Sequence, residues 1–192
     1  DYTETTALGQ LVNTASGSRS LTIQGNDHNF AGGGFEGIAT KTGDTLNVTN
    51  VKEISGWADG TAFTNAGALN FSGTNALDLK DGISNSDTGT VTFGQNVNLT
   101  GKLEGTGTYS NKGTMTVADA ANLAMTGTDG LTNTGTVSLG SDTESTLGAK
   151  ISGGTLNVNG SVTSNASYIA GGTNTVASGK TLTLNAGTLG AA

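Results

Sequence analysis

Carboxylates are the main stock of reactive side chains in this chain, and they come in two close groups: Asp78 and Asp81 with Lys80 between them, and Asp142 with Glu144. Two carboxyl groups held roughly 5 to 9.5 Å apart in a cleft can cleave a glycosidic bond, one as acid and the other as nucleophile or base. Asp142 and Glu144 stand at i and i+2, a spacing that puts two side chains on one face of a strand. The alternative for both groups is solvated surface charge, with weak calcium binding as a further use. Other chemistry lacks partners. His28 is the sole histidine and there is no cysteine, which excludes a multi-histidine zinc site, a histidine dyad and thiolate chemistry. His28 reads as a turn or cap residue. Arg19 is the one arginine. The serines lack the Gly-x-Ser-x-Gly elbow of a nucleophile, and Gly32-Gly33-Gly34 lacks the Gly-Lys-Ser/Thr continuation of a phosphate loop. No residue reads as catalytic, and no cofactor or metal ligand set is expected.

Any such group must be positioned by a repeat, because a short strand motif recurs about every 22 residues. It runs glycine, small, apolar, polar, apolar: Gly67-Ala68-Leu69-Asn70-Phe71, Gly89-Thr90-Val91-Thr92-Phe93, Gly113-Thr114-Met115-Thr116-Val117, Gly135-Thr136-Val137-Ser138-Leu139 and Gly154-Thr155-Leu156-Asn157-Val158. Related copies lie at Gly43 to Val48 and Gly179 to Leu184. The first apolar position steps from Leu46 to Leu69, Val91, Met115, Val137, Leu156 and Leu182, with the last two steps uneven. Asn65, Asn85, Asn111 and Asn133 each stand shortly before a motif glycine, where a tight corner would use the left-handed conformation that Asn and Gly tolerate.

Weaker apolar pairs fill the rest of each period: Leu77 with Leu79, Val97 with Leu99, Leu123 with Met125, then Leu147. A third set stands at Ile83, Leu103, Leu131, Ile151 and Ile169. Three short strands per coil with alternate side chains inward predict an all-β, right-handed parallel β-helix, a three-sided solenoid of roughly 22 residues per coil. The motif residues, from Leu46 and Val48 to Leu182 and Leu184, are expected to stack coil on coil as one interior column. The chain reads as one domain, 1–192, with a first rung and possible cap over 1–40 and repeating coils over 41–192. Phe30 and Phe35 are expected to fill the open end of the tube, with Leu8, Leu11 and Val12 in a covering strand or helix. The chain also reads as part of a longer solenoid whose last rung leaves an edge open to pairing.

With 15 acidic and 8 basic residues the net charge is −7, scattered rather than blocked. No basic stripe exists to meet a phosphate backbone, so nucleic acid is not an expected partner. No apolar run is long enough to span a membrane. Outward positions of the motif carry Thr90, Thr92, Thr114, Thr116, Thr136, Thr181 and Thr183. Such a ladder resembles the threonine arrays of ice-binding β-solenoids, although threonine also suits any exposed strand. Trp57, beside Lys52, Glu53 and Asp59, and Tyr109, outside the motif, are candidate surface contacts for a glycan or protein, with packing as the alternative.

The stretch Leu21-Thr22-Ile23-Gln24-Gly25-Asn26-Asp27-His28-Asn29-Phe30 and the glycine, asparagine and threonine coils from Gly43 to Leu184 resemble autotransporter passengers and haemagglutinin-like bacterial adhesins. The resemblance implies a secreted or cell-surface adhesin or passenger scaffold, held at the outer membrane through a C-terminal barrel that is absent from these residues. It implies binding to a host or bacterial surface protein or glycan, or self-association, without catalysis. Pectate-lyase-like enzymes share the parallel β-helix, so a polysaccharide lyase or glycoside hydrolase is the alternative, and a shared fold assigns no activity. Ice binding is the third reading.

Overall fold

Alternation of inward apolar and outward polar residues, broken every few positions by glycine or asparagine, gives strands too short to turn back on themselves as hairpins. They pair instead with their counterparts one coil away. A computed structural model describes residues 11–12, 18–33, 37–140, 144–165, 168–169 and 172–189. All described strand pairs are parallel, and they form a β-solenoid of the right-handed β-helix type. Its helical content among the described residues is two single turns, Ala58–Gly60 and Ala120–Asn122.

Three faces run along the axis. On the first, Leu21, Leu46, Leu69, Val91, Tyr109, Leu131, Ile151, Ile169 and Leu189 follow one another in register, and those from Leu46 to Ile151 are buried. On the second, Leu77, Val97, Met115, Val137 and Leu156 stack beside Leu79, Leu99, Val117, Leu139 and Val158. On the third, Ile38, Phe63, Ile83, Leu103 and Leu123 stack. The strand Thr45–Ser55 bends across a corner and serves both of the first two faces. The strand Ser20–Ala31 forms a rung above it.

The period of the motif was legible, but its stacking is different from the simple expectation. Leu46, Leu69 and Val91 lie on the first face, Met115, Val137 and Leu156 on the second, and Leu182 on the third. Val91 stacks on Tyr109, 18 residues on, and not on Met115. The cause is a corner that shortens: Ser86 to Gly89 separate the third-face and first-face strands in one coil, and only Thr106 and Gly107 do so in the next. The motif thereby moves one face round the tube, and registered steps range from 17 to 27 residues.

The core is a single continuous cluster along the tube. Each fully buried apolar side chain contributes roughly 1.5 to 3 kcal/mol in transfer terms. Phe71 and Phe93 stack face to face in adjacent coils at 5.2 Å, and Phe63 meets Phe71 edge-on at 5.7 Å. Phe30 sits against Trp57, as an end-filling residue would, while Phe35 and Leu8 lie outside the described residues. Leu11–Val12 is a strand, paired with Ile38 and Ala39. Leu182 is half-buried and Leu184 is exposed, so neither completes the interior column expected of them.

The motif glycines Gly67, Gly89, Gly113 and Gly135 serve close approach, while Gly43, Gly154 and Gly179 have positive φ. A Cβ on Gly135 would sit 2.0 Å from the carbonyl oxygen of Gly113 in the coil above. Gly105 needs both freedoms, with φ +102° and a would-be Cβ 2.0 Å from the Asn85 carbonyl oxygen. Gly105→Ala is expected to lower stability by roughly 2–4 kcal/mol. Gly179→Ala, also at positive φ but with open space around it, should cost about 1 kcal/mol. Chemical denaturation midpoints of the two variants check the difference.

Candidate functional site

Buried amides at the corners are the most organised polar groups in the tube. Asn65 and Asn85 stack at the corner between the third and first faces, and Asn111 and Asn133 at the corner between the first and second. All four are buried. The Asn65 Nδ2 donates to Asn85 Oδ1 at 2.8 Å, to the Gly67 carbonyl and to the Thr90 carbonyl. The Asn111 Nδ2 repeats the pattern on Asn133 Oδ1 at 2.9 Å, Gly113 and Thr136. Two hydrogens are thus shared among three acceptors in each case. None of the four asparagines has positive φ, which corrects the expectation that they serve as left-handed corner residues. They work through their side chains, knitting a coil to the one below.

Both residues proposed as surface contacts are interior. Tyr109 is 0% exposed, and its hydroxyl lies 3.0 Å from the Ile83 carbonyl and 2.8 Å from the Glu104 carbonyl. It stands where the first asparagine row stops, because Gly105 follows Asn85 in register and carries no amide. Its hydroxyl, reaching over from the neighbouring face, links the two coils there. Burial pushes the Tyr109 phenol well above its ordinary range. Trp57 is 8% exposed and packs edge-on to Phe30 at 5.2 Å, with Phe63 beyond it. Gly32 gives it room, for a Cβ there would strike the indole at 2.5 Å. Both side chains thus take the packing alternative, inside the tube and not on its surface.

The carboxylates are spread out and engaged. Asp78 faces outward and accepts from Asn98 Nδ2 at 2.7 Å. Asp81 instead accepts the Trp57 backbone N–H at 2.8 Å, fixing a corner. Lys80 pairs at 2.7 Å with Glu53, and this ammonium, with the Ser55 hydroxyl, holds the Glu53 carboxyl below the usual carboxylate range. Glu144 accepts from the Thr163 hydroxyl at 2.7 Å. Asp142 lies outside the described residues. His28 is exposed in a bulged part of its strand, just after the left-handed pair Asn26 and Asp27. Among the described residues no group of three or more His, Cys, Asp or Glu is placed to hold a metal ion. No helix among them is long and apolar enough to cross a membrane.

The threonine ladder is divided among the faces. Thr90 and Thr92 lie on the first, Thr114, Thr116 and Thr136 on the second, and Thr183, with Thr181 just before it, on the third. The second face does carry an unbroken row, Thr114, Thr136, Thr155 and Thr173, beside the mixed row Thr116, Ser138, Asn157 and Thr175. Outward side chains also bond to one another along the axis, as Asn70 does to Asn47 at 3.1 Å. Comparison with protein-family models, with curated proteins and with solved structures returned no match. The residues that sequence reasoning underrated are the four asparagines and Tyr109. Their signal was present as the recurrence of Asn before Gly, which marks a buried row and not only a turn.

Tyr109 provides a test by pH. Its phenol is raised in the folded chain relative to an ordinary value of 10.0. Above that pH the unfolded state binds fewer protons than the folded state, so stability falls with a slope of up to about 1.4 kcal/mol per pH unit. Tyr109→Phe is expected to cost about 1–2 kcal/mol at neutral pH, through two buried carbonyls left with less donation. It should also remove this alkaline component, visible as a flatter loss of denaturation midpoint between pH 10 and 11.5 (about one and a half units).

Proposed function

We propose that this chain is a length of a non-catalytic rod, secreted or displayed at a bacterial surface, that serves adhesion, aggregation or the presentation of other modules. The observation that carries the reading is the way stability is distributed. Ladders on the faces, one continuous core and buried amide rows repeat along the axis, so the molecule is built for length and stiffness. Its outward strand positions are short polar side chains, several of them tied to their neighbours. Such faces favour weak, repeated contacts over a single deep pocket.

The finer reading is a passenger of the autotransporter or haemagglutinin-like kind. It is supported by the likeness of residues 21–30 and of the following coils, and by a β-helix architecture that agrees with it. Partners on this reading are a surface protein, a glycan or another copy of the chain, and a barrel elsewhere in the full protein would hold the rod at the outer membrane. The structural engagement of Asp81, which accepts the Trp57 backbone N–H, supports a scaffold role for that carboxylate.

Beads coated with the purified chain are expected to retain bacteria or host cells several-fold above uncoated beads, with saturable binding. The same preparation should release no reducing sugar or unsaturated product from neutral or acidic polysaccharides. Polysaccharide cleavage without bead retention would reverse the assignment in favour of an enzyme.

A further inference from the structure

The corner between the first and second faces, near the top of the tube, gathers oxygen atoms from successive coils. Asn50, Gly73 and Gln95 follow one another there, just after the registered pairs Thr49 with Ser72 and Phe71 with Phe93. Gly73 has no side chain, and the residues above and below it both reach into that space. A Cβ on Gly73 would lie 2.6 Å from Gln95 Oε1 and 3.0 Å from Asn50 Oδ1. Gln95 is 5% exposed, and its Oε1 is buried without a hydrogen-bond partner among the described residues. Two carbonyl oxygens cannot hydrogen-bond to each other, so their convergence calls for a donor or a cation between them.

A carboxylate crosses the same corner. The strand Ser20–Ala31 bulges between Gln24 and His28, where Asn26 and Asp27 take φ of 47° and 63°. Asn50, in the coil below, is also left-handed, with φ 51°. Asp27 reaches past it to the next coil, where its Oδ1 accepts from Asn75 Nδ2 at 2.8 Å. A carboxylate accepts at both oxygens, so this bond leaves Asp27 with capacity for a cation. Asn50, Gln95 and Asp27 offer oxygen alone and one negative charge, a set that suits a hard cation and not zinc or copper. Spacing along the chain hides it, because register and not sequence brings these residues together. We propose that this corner is a low-affinity calcium site, with Gln95 Oε1 and Asn50 Oδ1 as ligands and Asp27 supplying the charge.

Calcium chloride titrated into the chelator-treated chain is expected to show one saturable site by isothermal calorimetry, with Kd about 0.1–1 mM. It should also raise the denaturation midpoint where sodium chloride of equal ionic strength does not. Gln95→Met keeps the length of the side chain without the oxygen, Asn50→Gly keeps the left-handed backbone, and Asp27→Asn removes the charge. Each should weaken binding by about tenfold or more, whereas Asp87→Asn, exposed at another corner, should leave it unchanged. Absence of saturable binding would overturn the site, as would undiminished affinity in both Gln95→Met and Asn50→Gly. Should Gln95→Met fail to fold, Asn50→Gly decides alone. A loss of stability in Gln95→Met that is equal with and without calcium would mean that the two amides pair directly, and it would also overturn the site.

Discussion

Stacking at about 4.8 Å per coil is the constraint on which everything else in this molecule depends. At that separation each inward position meets its counterpart above and below, and each backbone N–H and C=O must find its partner one coil away. Apolar columns satisfy this by packing, as Leu79, Leu99 and Val117 do. A polar residue can satisfy it only in a row. Asn65 and Asn85, and then Asn111 and Asn133, are such rows, with each amide giving to the next and to the carbonyls that the corner would otherwise leave bare. The row is demanding at its ends. Asn111 Oδ1 has no hydrogen-bond partner among the described residues, because the position above it belongs to Phe93. An unmatched buried acceptor costs about 1–3 kcal/mol, which the packing of Phe93 on Phe71 and of Tyr109 on Val91 helps to offset.

Much of the architecture was legible in the residues. Period-2 alternation in short runs, glycine at fixed offsets and a recurrence near 22 residues exclude helices and hairpins and leave a parallel solenoid. Which face each strand occupies was not legible. Alternation tells which side chains point inward, but it is the same on all three faces, so Gly89-Thr90-Val91 and Gly113-Thr114-Met115 look equivalent although they lie on different sides. The difference resides in corner length, and Thr106-Gly107 replaces a longer corner without any change of character in the strands around it.

The same limit explains the candidate site. Trp57 and Tyr109 stood out because they fall outside the motif, and irregular aromatic residues invite a surface role. In the tube they fall outside the motif because they repair it. Tyr109 covers the place where an amide row ends, and Trp57 fills the volume that Gly32 leaves beside Phe30 and Phe63. The carboxylates were read from spacing along the chain, yet neighbours here are set by register. Glu53 lies directly beside Asp78, which is distant in sequence, while Asp78 and Asp81 serve different faces.

The migration of the motif round the tube also has a geometric consequence for display. Strands of one sequence type look out in one direction above Phe93 and in another below it, roughly a third of a revolution away. A partner reading that strand type could not follow the rod along a single track. It would meet patches with divergent bearings, one on each face of the tube in turn.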